Sequence, residues 1–237
     1  MGIRSITAIG AASLLALPAA NAAISANTAS ITLVANGSTQ VVSNTTVSLG
    51  DGRFAHTGSW TTNNGMMVMW QNLITSYAAS NGSELAYISG GFTVKNNSSS
   101  TPLVIDLGVF MAGSMAGPAT YSGSAGGQGV NFSFSPGALG ATSGAPVWSG
   151  FINDTLAGGV ITSSQNVNPF SLASFAPQSF SGSSSAVSTG LGMRLRLTVA
   201  AGIESSFSGA FSVSAVPAPG AVVLAGVAGL LGGRRRR

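Results

Sequence analysis

The sequence contains no cysteine, and this absence limits both its fold and its chemistry. Thiolate metal sites and a cysteine nucleophile are excluded. A domain without disulfides is held together by apolar burial and hydrogen bonds, which argues against a small cross-linked fold. Residues 23–215 are long enough for one domain with a sizeable core.

Charged residues are also scarce, at 6% of the chain against roughly 25% in ordinary soluble domains. The net charge of +4 arises at the chain ends. Between residues 23 and 215 the charged side chains are few and scattered: Arg53, Lys95, Arg194 and Arg196 against Asp51, Glu84, Asp106, Asp154 and Glu204. Because no basic cluster remains there, nucleic acid is not a predicted partner. The polar surface is predicted to consist of Ser, Thr, Asn and Gly.

Catalytic and metal-binding patterns are missing as well. His56 is the sole histidine, and its segment with Asp51 and Arg53 is interpreted as a solvated turn. No Gly-x-Ser-x-Gly elbow, EF-hand loop or complete dinucleotide fingerprint occurs. We therefore predict no catalytic residue, metal ligand or cofactor, and a protein that is not an enzyme. An enzyme would require His56, or two of the scattered carboxylates, to meet in one cleft.

The first 22 residues have the layout of an export signal. Residues 1–4 include the basic Arg4, and residues 6–17 form an apolar core too short for a permanent membrane span. Ala20 and Ala22 supply the small-x-small pattern read by signal peptidase, which predicts cleavage after Ala22. We expect export through the Sec machinery.

The last 22 residues form three blocks. The first is a proline-containing pentad, Val216, Pro217, Ala218, Pro219 and Gly220. An apolar run over residues 221–233 follows, and the chain ends in Arg234, Arg235, Arg236 and Arg237. A helix over the apolar run is about 20 Å long, which is marginal for a bilayer core of about 30 Å. Clustered arginines stay on the cytoplasmic side, so the rest of the chain is predicted to lie outside.

This tripartite tail resembles the PEP-CTERM sorting signal of exported bacterial proteins, with Ala218 at the position where the family motif has glutamate. The resemblance covers residues 216–237 alone. It implies a transmembrane helix that an exosortase-type enzyme recognises and processes during delivery to the cell surface or extracellular matrix. It implies nothing about the activity of the domain upstream.

Between the two terminal segments the hydrophobic pattern has mostly period two, with Gly, Asn and Ser between the runs. It predicts an all-β domain, an antiparallel β-sandwich or jelly roll, over residues 23–215. The predicted strands are residues 30–34, 40–49, 85–95, 103–111, 130–135, 147–152 and 158–162. The last two alternating runs, around Leu191–Val199 and Phe207–Val213, predict an antiparallel hairpin about a turn at Ala201 and Gly202.

Two kinds of segment depart from this rhythm. Apolar residues recur at helical spacing between Met66 and Tyr77, which predicts one short amphipathic helix covering a sheet. Three stretches rich in Gly, Ser and Ala, residues 113–129, 135–144 and 179–189, have few large apolar side chains. They are predicted to be loops or thin irregular strands outside the core.

The leading hypothesis is a non-enzymatic surface or matrix protein, associated with exopolysaccharide and routed by its tail. The alternative is a carbohydrate-binding or adhesive module that stacks sugars on exposed aromatic rings. Its candidate stacking residues are Trp60, Trp70 and Trp148, and it requires at least two aromatic rings exposed together. Burial of these rings in the core is the competing interpretation.

Overall fold

The structure is a computed structural model that describes residues 23–80 and 82–215. The predicted signal peptide, residues 1–22, and the predicted sorting segment, residues 216–237, lie outside the described residues. The described chain consists of antiparallel strands in two sheets, with one 3-10 turn at Ala26–Thr28 and no helix of seven residues or more. The prediction of an all-β fold is confirmed.

One sheet has eight strands. In chain order they are β1 (Ser30–Ala35), β2 (Ser38–Gln40), β7 (Leu103–Ala112), β9 (Gly137–Gly140), β10 (Trp148–Ile152), β11 (Thr155–Val160), β12 (Ser164–Val167) and β14 (Gly190–Val199). Their order across the sheet is β11, β10, β14, β7, β1, β2, and β9 pairs with both β14 and β12. β14 is therefore enclosed by neighbours on both sides.

The other sheet has seven strands, which are longer. They are β3 (Ser43–Gly50), β4 (Arg53–Thr61), β5 (Met66–Ser80), β6 (Ser83–Asn96), β8 (Ala119–Asn131), β13 (Leu172–Ser184) and β15 (Ile203–Ala215). Their order is β13, β8, β15, β6, β5, β4, β3, so β13 and β3 are its edges.

The two sheets pack face to face as a β-sandwich-like core. Trp148 of the eight-stranded sheet meets Phe92 of the seven-stranded sheet with ring centroids 5.6 Å apart. The ring of Phe211 from β15 lies over Gly150 of β10, where a side chain would have no space. Each sheet thus buries one face, which explains the period-two pattern of the sequence.

The predicted hairpin of the last two strands is wrong. β14 pairs with β7, β9 and β10, whereas β15 pairs with β6 and β8 in the opposite sheet. The turn at Ala201 and Gly202 therefore carries the chain from one sheet to the other. Both runs alternate as expected, but their apolar faces meet across the sandwich instead of lying side by side.

The predicted helix between Met66 and Tyr77 is also wrong, because this segment belongs to β5. A bulge between Gln71 and Ile74 places two residues opposite one on β6, and Asn72 has a φ of 53° there. Before the bulge the buried positions are 66, 68 and 70, and after it they include 73 and 75. The inserted residue shifts the buried positions from even to odd numbers, and the resulting step of three from 70 to 73 imitates helical spacing.

The three glycine-rich stretches contain regular strands, contrary to the prediction. Most of residues 113–129 belongs to β8, residues 179–184 belong to β13, and β9 lies within residues 135–144. The inward positions of β8 include Gly123, Gly127 and Gly129, and each faces a large side chain from elsewhere: Phe180, Phe207 and Leu139, respectively. Core volume at β8 is therefore supplied by other strands.

Of the predicted strands, residues 130–135 diverge most, because β8 ends at Asn131 and the chain then enters a loop. Residues 158–162 are displaced from β11, which covers Thr155–Val160. The remaining predicted strands overlap β1, β3, β6, β7 and β10, and the strand predicted over residues 40–49 also includes Gln40 of β2. No strand was predicted over β4, β12 or residues 172–178 of β13.

Candidate functional surfaces

Both ends of the described chain lie at one end of the sandwich, which we call the tail pole. Ala23 forms a bridge with Ser114, and the Ala116 N–H donates a hydrogen bond to the Glu84 carboxylate. Glu84 is directly opposite Ala215 on the neighbouring strand. The points at which residues 1–22 and 216–237 attach are therefore linked through the loop at Ala116 and the start of β6.

Glu84 also accepts a hydrogen bond of 2.6 Å from the Tyr77 hydroxyl. Burial, the hydrogen bond and the charge of Glu84 together raise the pKa of Tyr77 to about 12. Tyr77 thus remains a neutral donor at any physiological pH, and Glu84 connects two strands to the loop at Ala116.

The opposite end, which we call the far pole, is organised by two fully buried asparagines. The Asn96 amide donates 2.9 Å bonds to the carbonyls of Thr101 and Val199. The Asn131 amide donates to the carbonyls of Ser135 and Val167, at 2.8 and 2.9 Å. Each asparagine thereby fixes the loop that follows its own strand, because its amide binds a carbonyl inside that loop.

The loop after Asn131 presents aromatic rings to solvent. Phe132, Phe134, Phe170 and Leu172 are exposed, and Phe134 retains 88% of its accessible surface. Phe134 and Phe170 meet edge to face with centroids 5.0 Å apart. We call these four residues the phenylalanine patch. This patch was not predicted, because the alternation Phe132-Ser133-Phe134-Ser135 is typical of a strand, although Pro136 directly after it is a turn signal.

Next to this patch is a shallow depression of about 630 Å³. Its rim is rich in small hydroxyl residues and includes Ser98, Ser99, Ser100, Ser133 and Ser135, with Phe134 on one side. The far pole therefore combines exposed rings with hydroxyl groups. At this end of the seven-stranded sheet the described chain has two charged side chains, Lys95 and Glu204, which pair with each other at 3.3 Å.

The three tryptophans proposed for sugar stacking do not form a surface site. Trp70 and Trp148 are fully buried, and Trp70 donates its indole N–H to Asn44 at 3.0 Å. Trp60 is half-buried and donates to Gln40 at 3.1 Å. Burial removes the ring faces of Trp70 and Trp148 from any sugar in solution, so these two are core residues.

His56 is not part of a solvated turn with Asp51 and Arg53. It is fully buried, whereas Asp51 and Arg53 are exposed. Its ring lies between two threonine hydroxyls, Thr46 at 2.9 Å from Nδ1 and Thr75 at 2.8 Å from Nε2. Thr75 donates its own proton to the Ala26 carbonyl at 2.6 Å, so Nε2 is the protonated nitrogen and Nδ1 accepts from Thr46. Burial lowers the pKa of His56, which favours this neutral form.

Two of the five carboxylates, Asp106 and Asp154, line a common depression, and the other three lie apart from it and from each other. Asp106 is held by Arg194 and lies 3.9 Å from Arg196, all three on the outward face of the eight-stranded sheet. Asp154 lines the same depression of about 270 Å³ as Asp106 and Arg194. Glu204 pairs with Lys95, Glu84 is at the tail pole, and Asp51 is in the turn between β3 and β4. His56 thus shares no cleft with these carboxylates. The negative charge of Asp106 is paired with Arg194 and Arg196.

The outward face of the seven-stranded sheet carries rows of hydroxyls. Ser122 and Ser212 lie 2.9 Å apart across β8 and β15, and Thr93 and Ser206 lie 3.3 Å apart across β6 and β15. A shallow depression of about 530 Å³ crosses this face where Gly91 and Gly126 leave the backbone uncovered. The outward face of this sheet is thus rich in hydroxyl groups and carries few charges, among them the Lys95–Glu204 pair.

The described residues contain no group of three or more His, Asp or Glu side chains placed to share a metal ion. Within residues 23–80 and 82–215, no helix combines the length and the apolar character needed to cross a bilayer. The predicted sorting motif, the arginine cluster and the signal cleavage site fall in segments outside that range.

Comparison with known proteins gives no family assignment. No protein-family model matches the chain, no curated protein matches it, and no solved structure matches its fold.

Proposed function

We propose that the chain is an exported, non-enzymatic protein of the cell surface or extracellular matrix, delivered by residues 1–22 and sorted through residues 216–237. The observation that carries the proposal is the tail pole. Ala23 and Ala215 lie at the same end of the sandwich, so a signal peptide and a membrane-held tail attach at the same end of the domain. The sandwich then stands with its far pole directed away from the membrane.

The dimensions agree with this role. β15 runs from Ile203 at the far pole to Ala215 at the tail pole, and its 13 residues span about 43 Å at about 3.3 Å each. A domain anchored just after Ala215 therefore holds the phenylalanine patch about 40 Å from its attachment point. The outward faces carry hydroxyls and few charges, which suits contact with neutral polysaccharide.

The test measures the molecular mass of the protein and its cell fraction in cells that export it. We expect the surface form of the native chain to lack residues 1–22 and to be shortened within residues 216–237. Replacing both Pro217 and Pro219 with alanine removes the motif and leaves a longer, membrane-bound form. Ser208→Ala, on the exposed face of β15, is the matched control and leaves processing unchanged.

A chain that ends at residue 216 gives the decisive comparison. Without the tail we expect release into the medium in place of retention at the membrane and delivery to the surface. Identical surface display and identical processing of the native and truncated chains would overturn the sorting proposal.

The second candidate function is carbohydrate binding, and the phenylalanine patch is the observation that favours it. Exposed rings beside serine hydroxyls offer both an apolar contact and hydrogen-bond partners for a sugar. This site replaces the one proposed at the tryptophans. We expect retention on immobilised neutral polysaccharide to fall when Phe134 and Phe170 are both replaced by alanine, and to persist in Leu156→Ala, which is exposed on the other sheet.

A further inference from the structure

The free sheet edges of the described chain are not equally protected. β13 contains Pro177 and a bulge between Phe175 and Gln178. β2 and β12 have only three and four residues, and β11 has six, including adjacent glycines. Proline, bulges and short length are the usual means by which an edge strand is kept from pairing with another chain.

β3 has none of these protections along most of its length. It has eight residues, all exposed, without a charged side chain or a proline, and its one register shift is at its end between Ser48 and Gly50. Among the described strands it pairs only with β4, so on its other side no described strand meets its backbone N–H and C=O groups. Val47 is 55% exposed, and Val41, just before the strand, is 95% exposed.

This edge is also held in place from within its own sheet. The Thr46 hydroxyl binds His56, and the Asn44 side chain accepts the indole N–H of Trp70. A strand fixed in this way loses little conformational entropy when another strand pairs with it.

We propose that β3 is a self-association edge, which pairs with β3 of a second copy of this chain in antiparallel orientation centred on Thr45. Antiparallel pairing of one strand with itself is closed by a two-fold axis, so each strand satisfies the other's unpaired backbone groups. The second copy is the favoured occupant because β3 carries no charge that would face its own equivalent across the axis.

The register centred on Thr45 is part of the proposal, and it keeps each side chain on its own face of the sheet. Pairing preserves the face of each side chain only if odd-numbered residues meet odd-numbered ones. Centring on Thr45 brings Val47 opposite Ser43 and brings the highly exposed Val41 next to Leu49 of the other copy. Centring on Thr46 instead places Val41 opposite Asp51, which leaves an apolar side chain against a carboxylate.

This arrangement has a consequence for how two domains are oriented. Because the strands are antiparallel, the tail pole of one copy lies beside the far pole of the other. Two copies anchored in the same membrane therefore cannot pair through β3. Copies anchored on facing surfaces, or copies released from the membrane, can pair in this way. This consequence rests on the proposed function, but the pairing itself does not.

The absence of cysteine makes the test direct. Thr45→Cys is introduced into the full chain, and the cells that export it are treated with a mild oxidant. The products are separated under non-reducing conditions, and their molecular masses are measured. We expect Thr45→Cys to form a covalent dimer with twice the mass of the chain. Ser48→Cys, on the same strand but away from the axis, and Ser181→Cys, on the opposite edge strand β13, remain monomers.

A charge variant provides a second readout that does not depend on disulfide geometry. Thr45→Lys puts two ammonium groups opposite each other, and we expect the purified chain in nonionic detergent to change from a concentration-dependent dimer to a monomer. Ser181→Lys keeps the dimer. Thr45 is exposed, so the fold is retained in both variants.

Several results would overturn the proposal. Monomeric Thr45→Cys does so, as does equal cross-linking of Thr45→Cys and Ser48→Cys, which indicates random collision. A Thr45→Cys product with the mass of a different protein means that the edge receives another partner. Cross-linking is measured in both membrane and surface fractions, so a failure of sorting does not conceal the result for pairing.

Discussion

β14 and β8 are both internal strands, but they contribute to the core in opposite ways. β14 carries its own apolar volume on alternate positions: Leu191, Met193, Leu195, Leu197 and Val199 are all buried. The inward positions of β8 include three glycines, and the space above them is filled by Phe180, Phe207 and Leu139. A strand can therefore be part of a close-packed core without supplying large side chains, provided that other strands supply the volume.

The largest loss of stability is expected when one of the rings that fill the space above the β8 glycines is removed. Phe207 is fully buried over Gly127, so Phe207→Ala leaves a cavity that neither β15 nor β8 can fill. We expect a loss of about 3 to 5 kcal/mol in the free energy of unfolding, measured by urea denaturation. A loss no larger than that of an exposed control, Ser208→Ala, would contradict the role assigned to this ring.

The converse change adds volume to β8. A Cβ at Gly127 overlaps the Phe207 ring, so Gly127→Val is expected to cost about 1 to 3 kcal/mol. Gln128→Val, the next residue but exposed on the outward face, is expected to change stability by less than about 0.5 kcal/mol.

The double variant Gly127→Val, Phe207→Ala tests whether the two positions share one space in the core. If the valine occupies space left by the ring, the double variant loses less stability than the sum of the two single changes. Strict additivity in urea denaturation would mean that the two positions do not share one space.

β5 extends the comparison to a strand whose alternation is interrupted. Asn72 at its bulge has a φ of 53°, a conformation that a β-branched residue adopts at a cost of about 1 to 2 kcal/mol. We expect that loss for Asn72→Val and almost none for Asn72→Gly, whereas Gln71→Val, the preceding exposed residue, serves as the control. Equal stability of Asn72→Val and Gln71→Val in thermal or urea unfolding would contradict the left-handed conformation assigned to Asn72, and with it the bulge that explains the helix-like spacing.

The smallest expected effect comes from the one buried imidazole. Because burial lowers the pKa of His56 below its ordinary value of 6.5, the unfolded chain binds a proton that the folded chain does not. The contribution of the neutral, buried His56 ring to the free energy of unfolding is complete above about pH 6.5, and it declines as the pH falls through that value. We expect urea midpoints to be lower at pH 5.5 than at pH 7.5, and this difference to diminish in His56→Gln. An unchanged difference would assign the pH dependence to other groups.

The prediction errors have one physical origin, which is that sequence periodicity records the faces of a strand but not its neighbours. Alternation along β14 and β15 correctly predicted two strands with one buried face each, yet the pattern is the same whether the strands lie side by side or across the sandwich. In β5 a single inserted residue changed the apparent period. In β8 the absence of large apolar residues suggested a loop, because the filling rings come from distant parts of the chain.

The candidate sites follow the same division. The export signal and the sorting tail remain predictions from the sequence, and they rest on local runs of charge, apolar residues and proline. The phenylalanine patch was not recognised, since exposure of Phe134 depends on the Asn131 amide binding the Ser135 and Val167 carbonyls and so setting the loop. Burial of Trp70 and Trp148 likewise depends on the opposite sheet.

An all-β domain with little charge and no disulfides can be predicted from the amino-acid pattern, because alternation and composition are properties of each short stretch of chain. Which strands are neighbours, the placement of Ala23 and Ala215 at one pole, and the position of β3 at the edge of the described sheet are visible only in the folded domain. These features arise from contacts between residues far apart in the chain, and local periodicity carries no information about such contacts.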